Sequence, residues 1–98
     1  MYVKSQDSGF AVSNSSQLVL SSNNKRRAVA ICNPSAVIIY LCKGLVATPG
    51  QGILLNALGG SYIDELDGQG NIYTDVYSAI ALTVGGHALS IQEDYFEN

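Results

Sequence analysis

The stretch Arg27-Ala28-Val29-Ala30-Ile31-Cys32-Asn33-Pro34-Ser35-Ala36-Val37-Ile38-Ile39-Tyr40-Leu41-Cys42 decides the fold class. Two apolar runs, rich in β-branched residues, flank a turn tetrad in which Pro fixes φ. Each run is too short for a helix and ends in turn chemistry, so both read as strands. Taken as a hairpin with the loop at residues 33–36, Ile31 faces Ile38 and Val29 faces Tyr40. The reverse face then carries Ala28, Ala30, Cys32, Val37, Ile39 and Leu41. Both faces are apolar, whereas a lone sandwich buries one face of a sheet and wets the other. This places Ala28, Ala30, Val37, Ile39 and Leu41 at a subunit interface. The alternative cover is the chain's own N-terminal segment.

Further strands are expected near residues 17–20, 52–55, 61–63, 71–74, 79–84 and 87–92. Pro49-Gly50-Gln51-Gly52, Gly59-Gly60 and Asp67-Gly68-Gln69-Gly70 separate them as turns. No window repeats apolar positions at helical spacing. Gly85-Gly86 reads as a two-residue hairpin loop, pairing Leu82 with Leu89 and Ile80 with Ile91. Val29, Ile31, Ile38, Tyr40, Ile80, Leu82, Leu89 and Ile91 are then the expected core. The fold class is all-β: a small antiparallel β-sandwich or jelly-roll-like barrel of about eight short strands. Residues 1–16, rich in Ser, Asn and Gln, read as an N-terminal arm or loosely held first strand, 17–93 as the domain, and 94–98 as a C-terminal tail. Tyr95 and Phe96 in that tail read as interface anchors.

The 98 residues suit one domain, and only 13% are charged against about 25% in an ordinary soluble domain. So sparse a charge implies surface that is not meant for water. The net charge of −3 argues against nucleic acid, which needs a basic patch. The one basic cluster, Lys25-Arg26-Arg27, reads as a solvated strand edge or rim ion pair. No apolar run approaches the roughly 20 residues of a spanning helix, and Met1 to Asp7 lacks the apolar core of a signal peptide. No membrane, metal or cofactor is expected. Cys32 and Cys42 read as small buried hydrophobes with free thiols; in the hairpin register they are out of step and on opposite faces.

No catalytic constellation emerges. His87, the single histidine, flanks the Gly85-Gly86 turn and reads as structural. Asp64-Glu65-Leu66-Asp67-Gly68 lacks the calcium-loop spacing and reads as a turn. Tyr62, Tyr73 and Tyr77 could build a carbohydrate platform; their ordinary role is core filling and interface contact.

In order of features the chain resembles small β-sandwich virion proteins of tailed bacteriophages, of the capsid decoration (cement) or fibre-base type. Lys25-Arg26-Arg27-Ala28-Val29-Ala30-Ile31-Cys32-Asn33-Pro34, Ile39-Tyr40-Leu41-Cys42-Lys43-Gly44 and Gly52-Ile53-Leu54-Leu55 carry the likeness. It continues through Leu58-Gly59-Gly60-Ser61-Tyr62, Gly70-Asn71-Ile72-Tyr73, Ala79-Ile80-Ala81 and Ala88-Leu89-Ser90-Ile91-Gln92-Glu93, and spans about residues 17–93. The resemblance implies a non-enzymatic structural protein of the virion, assembled in the host cytoplasm. Its implied partners are the major capsid protein or other virion proteins, and it would be a homo-oligomer. A chain ending after this module favours capsid decoration. The competing expectation is a tail- or fibre-associated adaptor that recognises a host glycan or receptor.

Overall fold

A computed structural model describes residues 2–97. It has eight strands: β1 (Tyr2–Val12), β2 (Gln17–Leu20), β3 (Arg26–Asn33), β4 (Ile39–Lys43), β5 (Ile53–Leu55), β6 (Gly60–Glu65), β7 (Tyr77–Ala81) and β8 (His87–Glu97). They form two four-stranded antiparallel sheets, ordered β1-β8-β3-β6 and β2-β7-β4-β5. This is the jelly-roll order. Consecutive strands change sheet at every connection but one, and β4–β5 alone is a hydrogen-bonded hairpin.

That alternation overturns both hairpins read from the sequence. β3 pairs with β6 and β8, with Ile31 beside Tyr62 and Ile91, while β4 pairs with β5 and β7 in the other sheet. Asn33 makes the corner. Its amide Nδ2 donates to the carbonyls of Val37, Leu55 and Asn56, and its Oδ1 accepts from the Ser35 N–H and hydroxyl. β3 and β4 therefore face each other across the core. Val29 and Ile31 look in from one sheet, Ile39 and Leu41 from the other. Ile39 and Leu41 are fully buried in the protein's own interior, which corrects their assignment to a subunit interface. Ile38 lies outside β4 and is exposed, and Tyr40 points outward, so neither belongs to the core expected for them.

The Gly85-Gly86 segment is likewise a crossover. β7 belongs to one sheet and β8 to the other, so Leu82 and Val84 stand exposed in the connecting loop. The inner face of β7 is Tyr77, Ala79 and Ala81, and Ile80 faces out. The sequence-based face was thus inverted on β7 and correct on β8, where Leu89 and Ile91 are core.

Neither terminal segment is a free arm. β1 pairs with β8 from Tyr2–Glu97 to Val12–His87. Its polar composition follows from its place at a sheet edge, where only Phe10 and Val12 join the core. Tyr95 and Phe96 are half-buried within β8, and the Phe96 N–H donates to the Lys25 carbonyl. Met1 and Asn98, the outer ends of those segments, lie outside the described residues. Residues 71–74 form no strand.

The basic cluster is also corrected. Arg26 is buried, with its Nε 2.6 Å from Glu93 Oε2 and its remaining nitrogens donating to the carbonyls of Ser21, Tyr73 and Asp75. One guanidinium thus closes an ion pair and ties down two loops. Cys32 and Cys42 are free and half-buried on different sheets, where full burial was expected.

Candidate assembly surface

The sandwich has two unlike ends. Loops 13–16, 34–38, 56–59 and 82–86 gather at one end, here the tip. Loops 21–25 and 66–76, the start of loop 44–52 and the outer ends of β1 and β8 gather at the other, the base. The five basic and eight acidic side chains lie in residues 4–7, 25–27, 43, 64–67, 75 and 93–97. Asp7 pairs with Gln92 and is level with Ala30, and every other charge lies nearer the base. The half of the molecule toward the tip carries no charged side chain.

The outer face of the β2-β7-β4-β5 sheet continues this neutral surface. Across it run Leu54, Tyr40 and Ile80, with Cys42, Ser78 and Leu18 in the next row. Loop 44–52 folds back over part of it. Ala47 is buried, and its N–H donates to Ser16 Oγ at 2.8 Å, so the loop crosses β7 to reach the start of β2. Ser78 and Ile80, on the face of β7 that this flap crosses, are buried. The flap presents Leu45 and Val46 outward, 71% and 67% exposed, beside half-exposed Leu18 and Leu54. Lys43, at the base edge of this sheet, is engaged by Asp64 at 3.6 Å and lies over the rings of Tyr62 and Tyr73. The Tyr62 hydroxyl beside it raises the ammonium above its ordinary range, with Asp64 adding to the effect.

At the tip, Ile38, Leu58, Leu82 and Val84 are exposed on adjacent loops. Leu58 and Gly59 donate their N–H groups to the carbonyls of Ser35 and Asn33, which binds loop 56–59 to loop 34–38. The Ala81 N–H donates to the Ser13 carbonyl and ties loop 13–16 to the end of β7.

The residues assigned to an interface from sequence do not share one face. Ala28 and Ala30 lie on the outer face of the β1-β8-β3-β6 sheet beside exposed Ile63. Val37 packs against the core from the β3–β4 loop, Ile39 and Leu41 are interior, and Tyr95 and Phe96 belong to β8. Leu18, Leu45, Val46, Leu54 and Leu58 were missed. Their signal is present in the sequence: residues 8–24, 28–42, 44–63 and 76–92 contain no Asp, Glu, Lys or Arg.

The groups that could have carried chemistry are structural. His87 Nε2 lies 3.0 Å from the Thr83 carbonyl and braces the 82–86 loop. Tyr62 and Tyr73 pack their rings 6.3 and 5.3 Å from that of fully buried Tyr77, so the three fill the base and form no open platform. Burial pushes the Tyr77 phenol well above its ordinary range. Asp67 accepts the N–H groups of Asn71 and Gln69, which holds its carboxyl below the usual range and closes the turn. Among the described residues no group of His, Cys, Asp and Glu is placed to hold a metal ion. A polar cleft of about 300 Å³ opens between β1 and β2, lined by Gln6, Ser8, Ser21, Asn23 and Glu93 with Leu20.

No protein-family model matches the chain, and no curated protein matches it. Among solved structures, a chain from the disulfide-linked pili that form Bacillus endospore appendages is similar. It has a TM-score of 0.56 at 9% identity, over 99% of this chain and 88% of that one. The coat protein of Tobacco streak virus gives a TM-score of 0.43 at 10% identity, over 94% and 84%. Both of those proteins are structural parts of assemblies; what this chain shares with the pilus protein is its fold.

Proposed function

We propose that this chain is a non-enzymatic structural protein of a tailed-bacteriophage particle, a capsid decoration protein that seats its β2-β7-β4-β5 face on the shell. One observation carries the reading: this face and the adjoining tip are uncharged, with four large apolar side chains held outward, two of them on a flap whose own anchor is buried. Soluble monomers seldom leave such a patch wet, and partner interfaces deplete charge at their centres. The charged base and the Asp-bearing side of the other sheet then keep the exposed part of the particle soluble. Val46→Asp with Leu54→Asp, both at exposed positions, should abolish co-sedimentation with particles assembled without this chain and leave circular dichroism unchanged. Undiminished binding by that variant would contradict the reading.

The polar cleft favours a second reading. A carboxylate, two amides and hydroxyls around one apolar wall suit a saccharide, as a tail- or fibre-associated receptor binder requires. Saturable glycan binding lost in Gln6→Ala, with no particle binding, would put this reading first.

A further inference from the structure

We propose that copies of this chain associate tip to side, with Leu58 of one copy seated in a hollow on the outer face of the β1-β8-β3-β6 sheet of the next. The inference rests on the structural-subunit reading and names the contact between copies.

Leu58 is the starting observation. It is the one described residue other than glycine with positive φ, at 61°, and it is 79% exposed. That backbone conformation costs a side-chain-bearing residue energy, and Gly or Asn normally takes it. The turn leaves no relief. Gly60 donates its N–H to the Asn56 carbonyl, and a Cβ on Gly60 would fall 2.3 Å from the Asn56 nitrogen. A tight turn thus holds a large apolar side chain out in solvent on a strained residue. Bonds from the Leu58 and Gly59 N–H groups to Ser35 and Asn33 hold the backbone there, yet the domain leaves the leucine side chain in solvent, and strain of this kind marks positions that act on something else.

The matching feature is on the same chain. Ala28, Ala30 and Ile63 wall a shallow hollow of about 180 Å³, closed below by Val29 and rimmed by Gln92 and Asp94. An apolar cavity of about 150 Å³ accommodates one benzene molecule, so this hollow suits one branched aliphatic side chain. Two of its walls are alanines, which lets a neighbour approach closely.

Charge selects the orientation. The hollow has Asp94 at its rim, and Glu65 is level with Ala28 on β6. The base of a second copy carries seven carboxylates against five cations, a net negative charge set against them. The tip brings none, so it approaches without like-charge repulsion. Knob and hollow are on different surfaces, which makes the contact heterologous: repeated, it gives a ring or an open filament.

The test uses two variants of the full chain. Leu58→Asn removes the knob and keeps a residue at home in that conformation; Ile63→Lys blocks the hollow at a position 69% exposed. Sedimentation equilibrium of the wild type should show mass growing with concentration, and each variant alone should stay monomeric, its association at least tenfold weaker. An equimolar mixture should form a one-to-one dimer and nothing larger, because one variant retains the tip and the other the hollow. If Ile63→Lys fails to melt cooperatively, Ile63→Asn serves in its place. A monomeric mixture, or Leu58→Asn assembling like the wild type, overturns the inference. A wild type that stays monomeric yet binds particles overturns this contact alone; one that does neither removes the structural reading as well.

Discussion

The Nε of Arg26 lies 2.6 Å from Oε2 of Glu93, joining the first residue of β3 to β8 inside the base of the sandwich. The guanidinium also donates to three loop carbonyls and stacks 5.4 Å from the centre of the Tyr77 ring. Removing Arg26 leaves Glu93, only 12% exposed at the cleft, without its cation and three loop carbonyls without their donor. Arg26→Met should therefore cost about 3–5 kcal/mol of unfolding free energy. Chemical denaturation measures it, and a loss below about 1 kcal/mol would show that water reaches this pair.

Ile39→Ala and Leu82→Ala separate the jelly roll from the hairpins read in the sequence. Ile39 is fully buried and should cost about 2–5 kcal/mol when truncated, whereas exposed Leu82 should change stability by about 0.5 kcal/mol or less. The hairpin register predicts the opposite order for this pair.

What the sequence made legible was local. Strand-forming runs, turn chemistry and the near absence of charge are properties of short windows, and β2, β3 and the start of β8 are where those windows place them. Pairing was not legible. Asn33-Pro34-Ser35 and Gly85-Gly86 make a corner between sheets as readily as a hairpin within one, and nothing local separates the two. Ile39 shows the consequence. Slipping its inferred face by one residue turned a core side chain into an interface side chain. β1 was hidden for a different reason: an edge strand with one wet side needs few apolar residues. The candidate assembly surface was half legible, since the charge-free runs are visible in the sequence, whereas the flap that lifts Leu45 and Val46 out depends on a bond between residues 16 and 47.

Ser78 tests the flap. Its hydroxyl is fully buried with no hydrogen-bond partner among the described residues. Replacing an unpaired buried hydroxyl removes a desolvation cost, so Ser78→Ala should raise stability by about 1 kcal/mol. Destabilisation of that size instead would mean that the hydroxyl is satisfied and the flap lies elsewhere.

Alkaline pH should weaken the fold through Tyr77. Burial raises its pKa in the folded protein, so the neutral phenol stabilises the fold fully below the unfolded value near 10. Above about pH 10 the unfolded chain loses this proton and the folded one keeps it, so stability falls as pH rises. Tyr73, raised chiefly by burial, and Lys43, raised chiefly by its bond to Tyr62, act in the same direction. Melting temperatures should hold to about pH 9 and then drop, and Tyr77→Phe should reduce the drop. An unchanged slope in that variant would assign the loss to other groups.

A density map of the phage particle to which the proposed role assigns this chain, at a resolution that traces strands, tests that role most directly. The expected map shows a jelly roll of eight strands on the shell, with Leu18, Leu45, Val46 and Leu54 against the capsid protein and the charged base toward solvent. A particle that lacks this chain, or one that holds it by the charged base with those four side chains facing water, would contradict it.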